Sequence, residues 1–150
     1  MTSNPPRDPP DGVERDWLAY PRSLIAPIYG HLGFDITAGG EGWLEITLRV
    51  SDVVLNADGV VHGGIWLVIA DSAMGGAVRT LLEPGARAVT GQLDFRWLRP
   101  YTGQVLRAVG RVARRGRALT HCTVELLDER DVVVGTGSAT FVVLASGANG

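Results

Sequence analysis

Apolar and polar side chains alternate over residues 44–50. Leu44, Ile46 and Leu48 fall on one face, and the residues between them are polar or charged. Successive side chains of a strand point to opposite faces, so this alternation predicts a half-buried strand. A shorter strand is predicted just before it, over residues 31–38, and a pair of glycines ends it.

Longer runs with the same alternation occupy the second half of the chain and are separated by short turns. Strands are predicted over residues 88–98, 104–113, 118–127 and 132–144. One face of the first of these strands is expected to carry Val89, Gly91, Leu93, Phe95 and Trp97. Because short turns join strands that are neighbours in space, the pattern predicts a meander of antiparallel strands.

Residues 63–82 form an apolar stretch that is too long for a single strand, so we predict a helix there. The stretch lacks the polar stripe of a surface helix, which indicates that other structure surrounds it. Gly75 and Gly76 lie within it. Glycine lowers helix stability, so this pair predicts close packing against another backbone.

One helix covers a face of a five- or six-stranded sheet only if the sheet curls around it, as twisted sheets do. The predicted fold class is therefore α+β, with a long central helix wrapped by a curved antiparallel sheet of five to six strands. The remaining sheet edges favour a homodimer. A shorter helix, capped by Asp16, is expected from Trp17, with an interruption at Pro21 and a second part over residues 22–29.

Length and composition describe one domain. The chain has 150 residues, of which 45% are apolar and 20% charged. We expect a disordered tail over residues 1–15, a single domain over 16–145 and a loose tail over 146–150. The net charge of −2 argues against a basic nucleic-acid binder. One cysteine and three histidines exclude a disulfide and a Cys/His zinc module, and no cofactor or metal is expected. The start of the chain lacks a hydrophobic signal core, so we expect a cytoplasmic protein without a membrane span.

Asp71 is the only charged residue between Asp58 and Arg79. An unpaired buried carboxylate costs several kcal/mol, roughly, so packing alone does not explain it. One interpretation is a functional carboxylate. The other is a structural one that pairs with an arginine or faces solvent through a gap.

The predicted long helix begins with His62, Gly63 and Gly64. Backbone N–H groups at a helix N-terminus favour a developing negative charge, so a carbonyl oxygen that becomes an oxyanion would fit there. Asp71 follows Gly63 by eight residues, about 12 Å along the axis. One subunit therefore does not bring both groups to one carbon. Antiparallel helices across a two-fold axis would do so, which predicts an active site shared between subunits.

Several other residues admit two interpretations. Asn56 fits a turn that it closes with its own side chain, and His62 fits a hydrogen-bonded loop position. His31 and His121 read as structural residues. Trp66 and Met74 fit core packing better than an acyl pocket. These assignments leave a catalytic role for Asn56 and His62 open.

Together these residues resemble the hotdog-fold acyl-CoA thioesterases of the phenylacetate-degradation type, within the 4-hydroxybenzoyl-CoA thioesterase superfamily. The matching pattern is Asn56, then His62-Gly63-Gly64 after six residues, then Asp71 nine residues beyond His62. Residues 92–100 are similar to that family's strand that ends in Arg-Pro. The resemblance covers about residues 30–144.

The resemblance implies a dimer with continuous sheets, often a dimer of dimers, that hydrolyses an acyl-CoA thioester without a metal. Asp71 would be the nucleophile or the general base that activates water. The Gly64 N–H would polarise the thioester carbonyl, with Gly63 shaping the turn. Asn56 and His62 of the other subunit would orient the water or the thioester. The nearest family variants carry Glu at the Asp71 position.

Two further implications concern binding. Thr90 matches a hydroxyl that helps to hold the water. Arginines 111, 114, 115 and 117 cluster at one predicted hairpin. They are either a solvated turn or, for Arg114, Arg115 and Arg117, a site for the phosphates of coenzyme A, which the planar guanidinium suits.

The chemistry of a thioester fits this residue set. The thiolate is a good leaving group, so the reaction needs an oxyanion donor and one carboxylate. No Gly-x-Ser-x-Gly nucleophile elbow is present. Two alternatives are a hotdog-fold enoyl-CoA hydratase or dehydratase and a non-catalytic acyl-CoA-binding module. The pattern does not name the acyl group.

Overall fold

The computed structural model describes residues 16–147. Its helices are α1 (Ala19–Ser23), α2 (Pro27–Leu32) and α3 (Gly63–Thr80), and residues Asp52–Val54 form one 3-10 turn. Its strands are β1 (Phe34–Gly40), β2 (Trp43–Arg49), β3 (Arg87–Trp97), β4 (Val105–Arg115), β5 (Leu119–Leu127) and β6 (Val133–Leu144). The tail expected over residues 1–15 lies outside the described residues, as does the 148–150 part of the tail expected over residues 146–150.

The six strands form one antiparallel sheet in the order β1-β2-β4-β5-β6-β3. Helix α3 contacts all six strands, so the sheet wraps around it as the sequence predicts. The predicted hotdog fold, a long central helix inside a curved antiparallel sheet, is confirmed. The predicted meander is correct for β4, β5 and β6 but wrong for β3, which pairs with β6 at the far edge. Helix α3 connects β2 to β3 across the concave face of the sheet, so β3 lies at the far edge and is not a neighbour of β4.

The core consists of the apolar faces that the alternation predicts. Leu44, Ile46 and Leu48 of β2 are fully buried against α3. Trp66 and Met74 are buried in the same core, and the Trp66 indole N–H donates to the carbonyl of Val61 at 3.1 Å. Core packing is therefore the role of both side chains, as expected.

The closest approach of helix and sheet backbones differs from the prediction. Gly75 and Gly76 lie against the side chains of Phe141 and Leu44, not against backbone. A Cβ atom built on Gly110 of β4 would instead lie 2.4 Å from the carbonyl carbon of Ala73. The glycine that permits close backbone packing therefore belongs to the sheet.

A β-bulge between Thr90 and Gln92 changes which residues of β3 share a face. The predicted face of Val89, Gly91, Leu93, Phe95 and Trp97 is wrong in its first half. The extra residue shifts the alternation by one position, because bulges leave one residue without a partner on the next strand. Thr90 therefore lies on the inner face with Leu93.

The predicted boundaries near the amino terminus are also wrong. Pro21 lies within the first turn of α1. Backbone N–H groups in a first turn make no hydrogen bond within the helix, so proline, which has no N–H, is tolerated there. The interruption comes instead before Pro27, the first residue of α2. His31 belongs to α2, not to a strand, because the helix continues until Gly33 ends it with a φ of 76°.

Candidate active site

One face of α3 borders a cleft of about 270 Å³. The face is a helical stripe whose members recur every three or four residues, with Asp71 and Ser72 adjacent at one of these steps. Its members are Val68, Asp71, Ser72, Gly75 and Arg79. The opposite walls come from the α1–α2 segment, β3 and β6, and their residues are Leu24, Ala26, Ile28, Tyr29, Ala88, Thr90 and Phe141. We call this space the Asp71 cleft.

Asp71 is half-buried and faces the cleft. Its carboxylate oxygen Oδ1 accepts a hydrogen bond from the Thr90 hydroxyl at 2.6 Å. Within residues 16–147, Asp71 forms no ion pair, so the structural interpretation with an arginine partner does not apply there. The carboxylate is thus oriented by a neutral donor and still accessible from the cleft. It is less enclosed than the apolar sequence around it predicts, because the cleft opens beside this face of the helix.

The bulge in β3 explains the contact between Thr90 and Asp71. Without the bulge, Thr90 would not share the inner face with Leu93, and its hydroxyl would point away from α3. Thr90 also pairs in register with Phe141, another residue of the cleft wall. The structure therefore brings two of the predicted site residues, Asp71 and Thr90, together.

Three polar residues of the cleft were not predicted from the sequence. Ser72 forms a side-chain hydrogen bond with Tyr29, and burial raises the pKa of the Tyr29 phenol above its usual value. The Nε atom of Arg79 is buried and has no hydrogen-bond partner among the described residues. Ser72 and Arg79 could have been found from the sequence, because a helix over this segment places both on the same side as Asp71. Tyr29 carries no such signal, because it comes from a distant helix.

The start of α3 is a second group of predicted residues. His62 is the N-cap residue, and its Nδ1 atom accepts the N–H of Gly64 at 2.9 Å. The Gly64 N–H, which the resemblance assigns to the thioester carbonyl, is therefore bound to His62 in this chain. The His62 side chain is exposed. Gly63 lies next to Trp97, whose indole nitrogen would be 3.7 Å from a Cβ atom at position 63.

Asn56 closes the turn that precedes α3. Its Oδ1 atom accepts the N–H groups of Asp58 at 2.9 Å and Val60 at 3.2 Å. The turn interpretation of Asn56 is thus confirmed, and its catalytic role stays a prediction. Asn56 and His62 do not border the Asp71 cleft. In one chain, the two groups are separate, as the axial distance between Gly63 and Asp71 predicts.

The arginines of the β4–β5 hairpin differ in their contacts. Arg111 lies over the Trp43 ring, with its guanidinium carbon 5.6 Å from the ring centroid. Arg114, Arg115 and Arg117 are exposed. Arg115 pairs with Thr120 of β5. Thr120 pairs with Phe141 of β6, which in turn pairs with Thr90 of β3. Three strand spacings, about 14 Å, separate Arg115 from Thr90 along this row.

The other two histidines lie away from the cleft. His31 is exposed on α2, and the Nδ1 atom of His121 lies 3.0 Å from the hydroxyl of Thr140. No group of three or more His, Cys, Asp or Glu side chains in residues 16–147 is placed to hold a metal ion. None of the helices in this part of the chain is both long and apolar enough to span a bilayer.

Comparison with known proteins decides the family. The profile of the thioesterase superfamily matches residues 58–135, just over half of the chain. The chain belongs to the thioesterase superfamily. The matched segment includes the start of α3, Asp71 and Thr90. It also includes the β4–β5 hairpin.

Individual relatives of this thioesterase-superfamily chain agree with that assignment. The acyl-coenzyme A thioesterase PaaI of Escherichia coli is 29% identical over 104 residues, 69% of this chain and 72% of the relative. A phenylacetic acid degradation-related protein from Ralstonia eutropha is 32% identical, with a TM-score of 0.75, over 84% of this chain and 98% of that one. A Bacillus halodurans protein whose crystal structure contains CoA is 27% identical, with a TM-score of 0.73, over 82% of this chain and 79% of that one.

Proposed function

We propose that this chain hydrolyses an acyl-CoA thioester to the free acid and coenzyme A. Superfamily membership supports thioester hydrolysis in general. The observation that carries the finer proposal is Asp71: a half-buried carboxylate without an ion pair among the described residues, oriented by Thr90, at the wall of a cleft. A relative crystallised with CoA supports this choice of substrate.

Asp71 supplies the base or the nucleophile. As a base, it takes a proton from water while the water oxygen bonds to the thioester carbon; the carbonyl oxygen gains negative charge. The C–S bond then breaks, and the CoA thiolate leaves and takes up a proton. As a nucleophile, the carboxylate forms an anhydride that water then cleaves. Thr90 holds the carboxylate, and the water beside it, in position.

The N–H of Gly64 stabilises the developing oxyanion in this proposal. In the free chain that N–H donates to His62 Nδ1, so the substrate carbonyl must replace the imidazole as acceptor. The exposed His62 ring has room to rotate away. His62 and the amide group of Asn56 are then available to orient the water or the thioester, while the Asn56 oxygen continues to close the turn.

Both groups meet only if two subunits combine, so the proposed active unit is a homodimer. Strand β3 is an 11-residue edge strand. Its Val89 and Trp97 side chains, and Leu98 just beyond it, are about half exposed. A long apolar edge is a template for pairing with another chain. Pairing of two β3 strands would continue the sheet, and two such dimers would form the expected dimer of dimers.

Arg114, Arg115 and Arg117 are proposed to bind the phosphates of coenzyme A. All three are exposed on one hairpin, and guanidinium groups bind phosphate through paired hydrogen bonds. The pantetheine arm would then cover the distance of about 14 Å to the Asp71 cleft. A cytoplasmic location stays a prediction from the sequence.

The decisive experiment replaces Asp71 with Asn, which keeps the size and removes the negative charge. We expect thiol release from acyl-CoA substrates to fall about 100-fold or more, the range for loss of a general base. Asp35→Asn, at an exposed position of β1, is the matched control and should keep full activity. An unchanged rate in Asp71→Asn contradicts the mechanism. Hydration of an enoyl-CoA without release of thiol would instead favour the hydratase.

A further inference from the structure

A guanidinium at the far end of the Asp71 cleft has no role in the proposed hydrolysis. Arg79 lies eight residues beyond Asp71 on the same stripe of α3. Within residues 16–147, its Nε atom is buried without a hydrogen-bond partner, and its guanidinium forms no ion pair. A partly desolvated cation without a partner is costly, so such a group indicates that a partner binds there.

No carboxylate in residues 16–147 forms an ion pair with Arg79. Tyr29 is an ionisable group that interacts electrostatically with Arg79, and burial raises the pKa of its phenol, so the phenol is neutral near pH 7. Asp71 is the one carboxylate among the described residues that line the cleft, and most of the other wall residues, including Ile28 and Ala88, are apolar or small. An anion from outside the described chain would complete this end of the cleft.

The distance to Asp71 limits the size of that anion. The axial rise from Asp71 to Arg79 is about 12 Å. Long helical side chains lean back toward the N-terminus by about one turn, so the guanidinium lies roughly 7 Å from the level of Asp71. Ser72 and Gly75 lie between them, and Gly75 leaves the path open. This length fits a chain of about four methylene groups.

We propose that the preferred acyl group carries a terminal carboxylate that binds Arg79, as in a medium-chain dicarboxylic mono-CoA thioester. This inference rests on the proposed function, because the thioester end is placed at Asp71. The methylene groups pack against Val68, Ala88 and Phe141, and the carboxylate receives a paired hydrogen bond from the guanidinium.

The test compares adipyl-CoA with hexanoyl-CoA, which have the same chain length and differ in the terminal carboxylate. With the full-length protein, we expect kcat/KM for adipyl-CoA to exceed that for hexanoyl-CoA about tenfold or more. Arg79→Met should reverse this preference, and Arg79→Lys should keep part of it, since lysine retains the charge without the fork. Arg130→Met, in an exposed turn, is the matched control and should leave the ratio unchanged.

A wild-type preference for hexanoyl-CoA, or a ratio that Arg79→Met does not change, overturns the inference. If Arg79→Met leaves the ratio intact but weakens the dimer, Arg79 pairs with the partner subunit instead. If neither substrate is hydrolysed, other acyl-CoA thioesters test the proposed function, and binding of the free acids decides the inference separately. Adipate, but not hexanoate, should then raise the Tm of the wild type and not of Arg79→Met. Equal shifts would overturn it.

Discussion

At the scale of single residues, the site depends on a hydrogen bond between two side chains that lie 19 positions apart. Thr90 donates to Asp71 at 2.6 Å, and the bulge in β3 places its hydroxyl there. A neutral donor fixes the rotamer of a carboxylate but leaves its charge available. Such a contact serves a reacting group better than an arginine would, because a neighbouring cation stabilises the charged carboxylate further and makes it a weaker base and nucleophile.

Replacement of Thr90 with Val keeps the side-chain shape and removes this hydrogen bond. Because a hydrogen bond to a charged group contributes about 1.5–3 kcal/mol, we expect kcat for acyl-CoA hydrolysis to fall about tenfold or more. KM should change little, since the acyl chain does not depend on the hydroxyl. Thr90→Ser should restore most of the activity. A loss of Tm in Thr90→Val with unchanged kcat would assign the pair a structural role only.

The sequence predicts this site unevenly, and the reason differs from residue to residue. Asp71 is detectable because it is a single charge in an apolar helix. Arg79 was accessible from helical spacing, yet at the end of the apolar stretch it reads as an ordinary last-turn cation. Tyr29 was not accessible at all, because only the tertiary fold brings α2 to the cleft. The isolated charge of Asp71 and the helical spacing of Arg79 are visible in the local sequence, whereas the wall of a cleft combines residues that are distant in the sequence.

At the scale of elements, the contact between α3 and the sheet fixes the position of the stripe that carries Asp71. Alternation and length predicted the helix and the six strands to within a few residues, because both signals are local. The bulge in β3 and the close approach at Gly110 were not predicted, since each depends on the neighbouring strand or helix. The faces of the strands follow from the sequence only where the register is regular.

Gly110→Ala tests the backbone contact between β4 and α3. The added Cβ would lie 2.4 Å from the Ala73 carbonyl carbon, and backbone atoms do not move aside as side chains do. We expect a loss of about 1–3 kcal/mol in the free energy of unfolding, the usual cost of overpacking. Urea denaturation measures it. Gly30→Ala is the control, because in residues 16–147 no atom beyond its chain neighbours and its own helix backbone lies within 4 Å of its Cβ position, and its midpoint should not fall. Equal midpoints for both variants would refute the contact.

At the scale of the whole molecule, the two predicted halves of the site lie apart in one chain. Asp71 and Thr90 face the cleft beside α3, while His62 and Gly64 lie at the start of the helix. The exposed edge of β3 offers a surface through which a second copy would join them. A shared active site therefore requires a dimer, because one helix does not bring Gly64 at its start and Asp71 in its middle to the same substrate carbon.

Subunit complementation tests whether each site takes residues from two chains. Asp71→Asn and His62→Ala should each be nearly inactive alone. If sites are shared, a mixed dimer contains one site with both native residues and one site with neither. Random mixing of equal amounts after unfolding and refolding should therefore recover about a quarter of wild-type activity, since half of the dimers are mixed and each has one intact site.

If every site lies within one subunit, no mixed dimer has an intact site and the mixture stays inactive. Size-exclusion chromatography with light scattering confirms that the refolded mixture is dimeric, so that an inactive mixture counts against sharing and not against assembly.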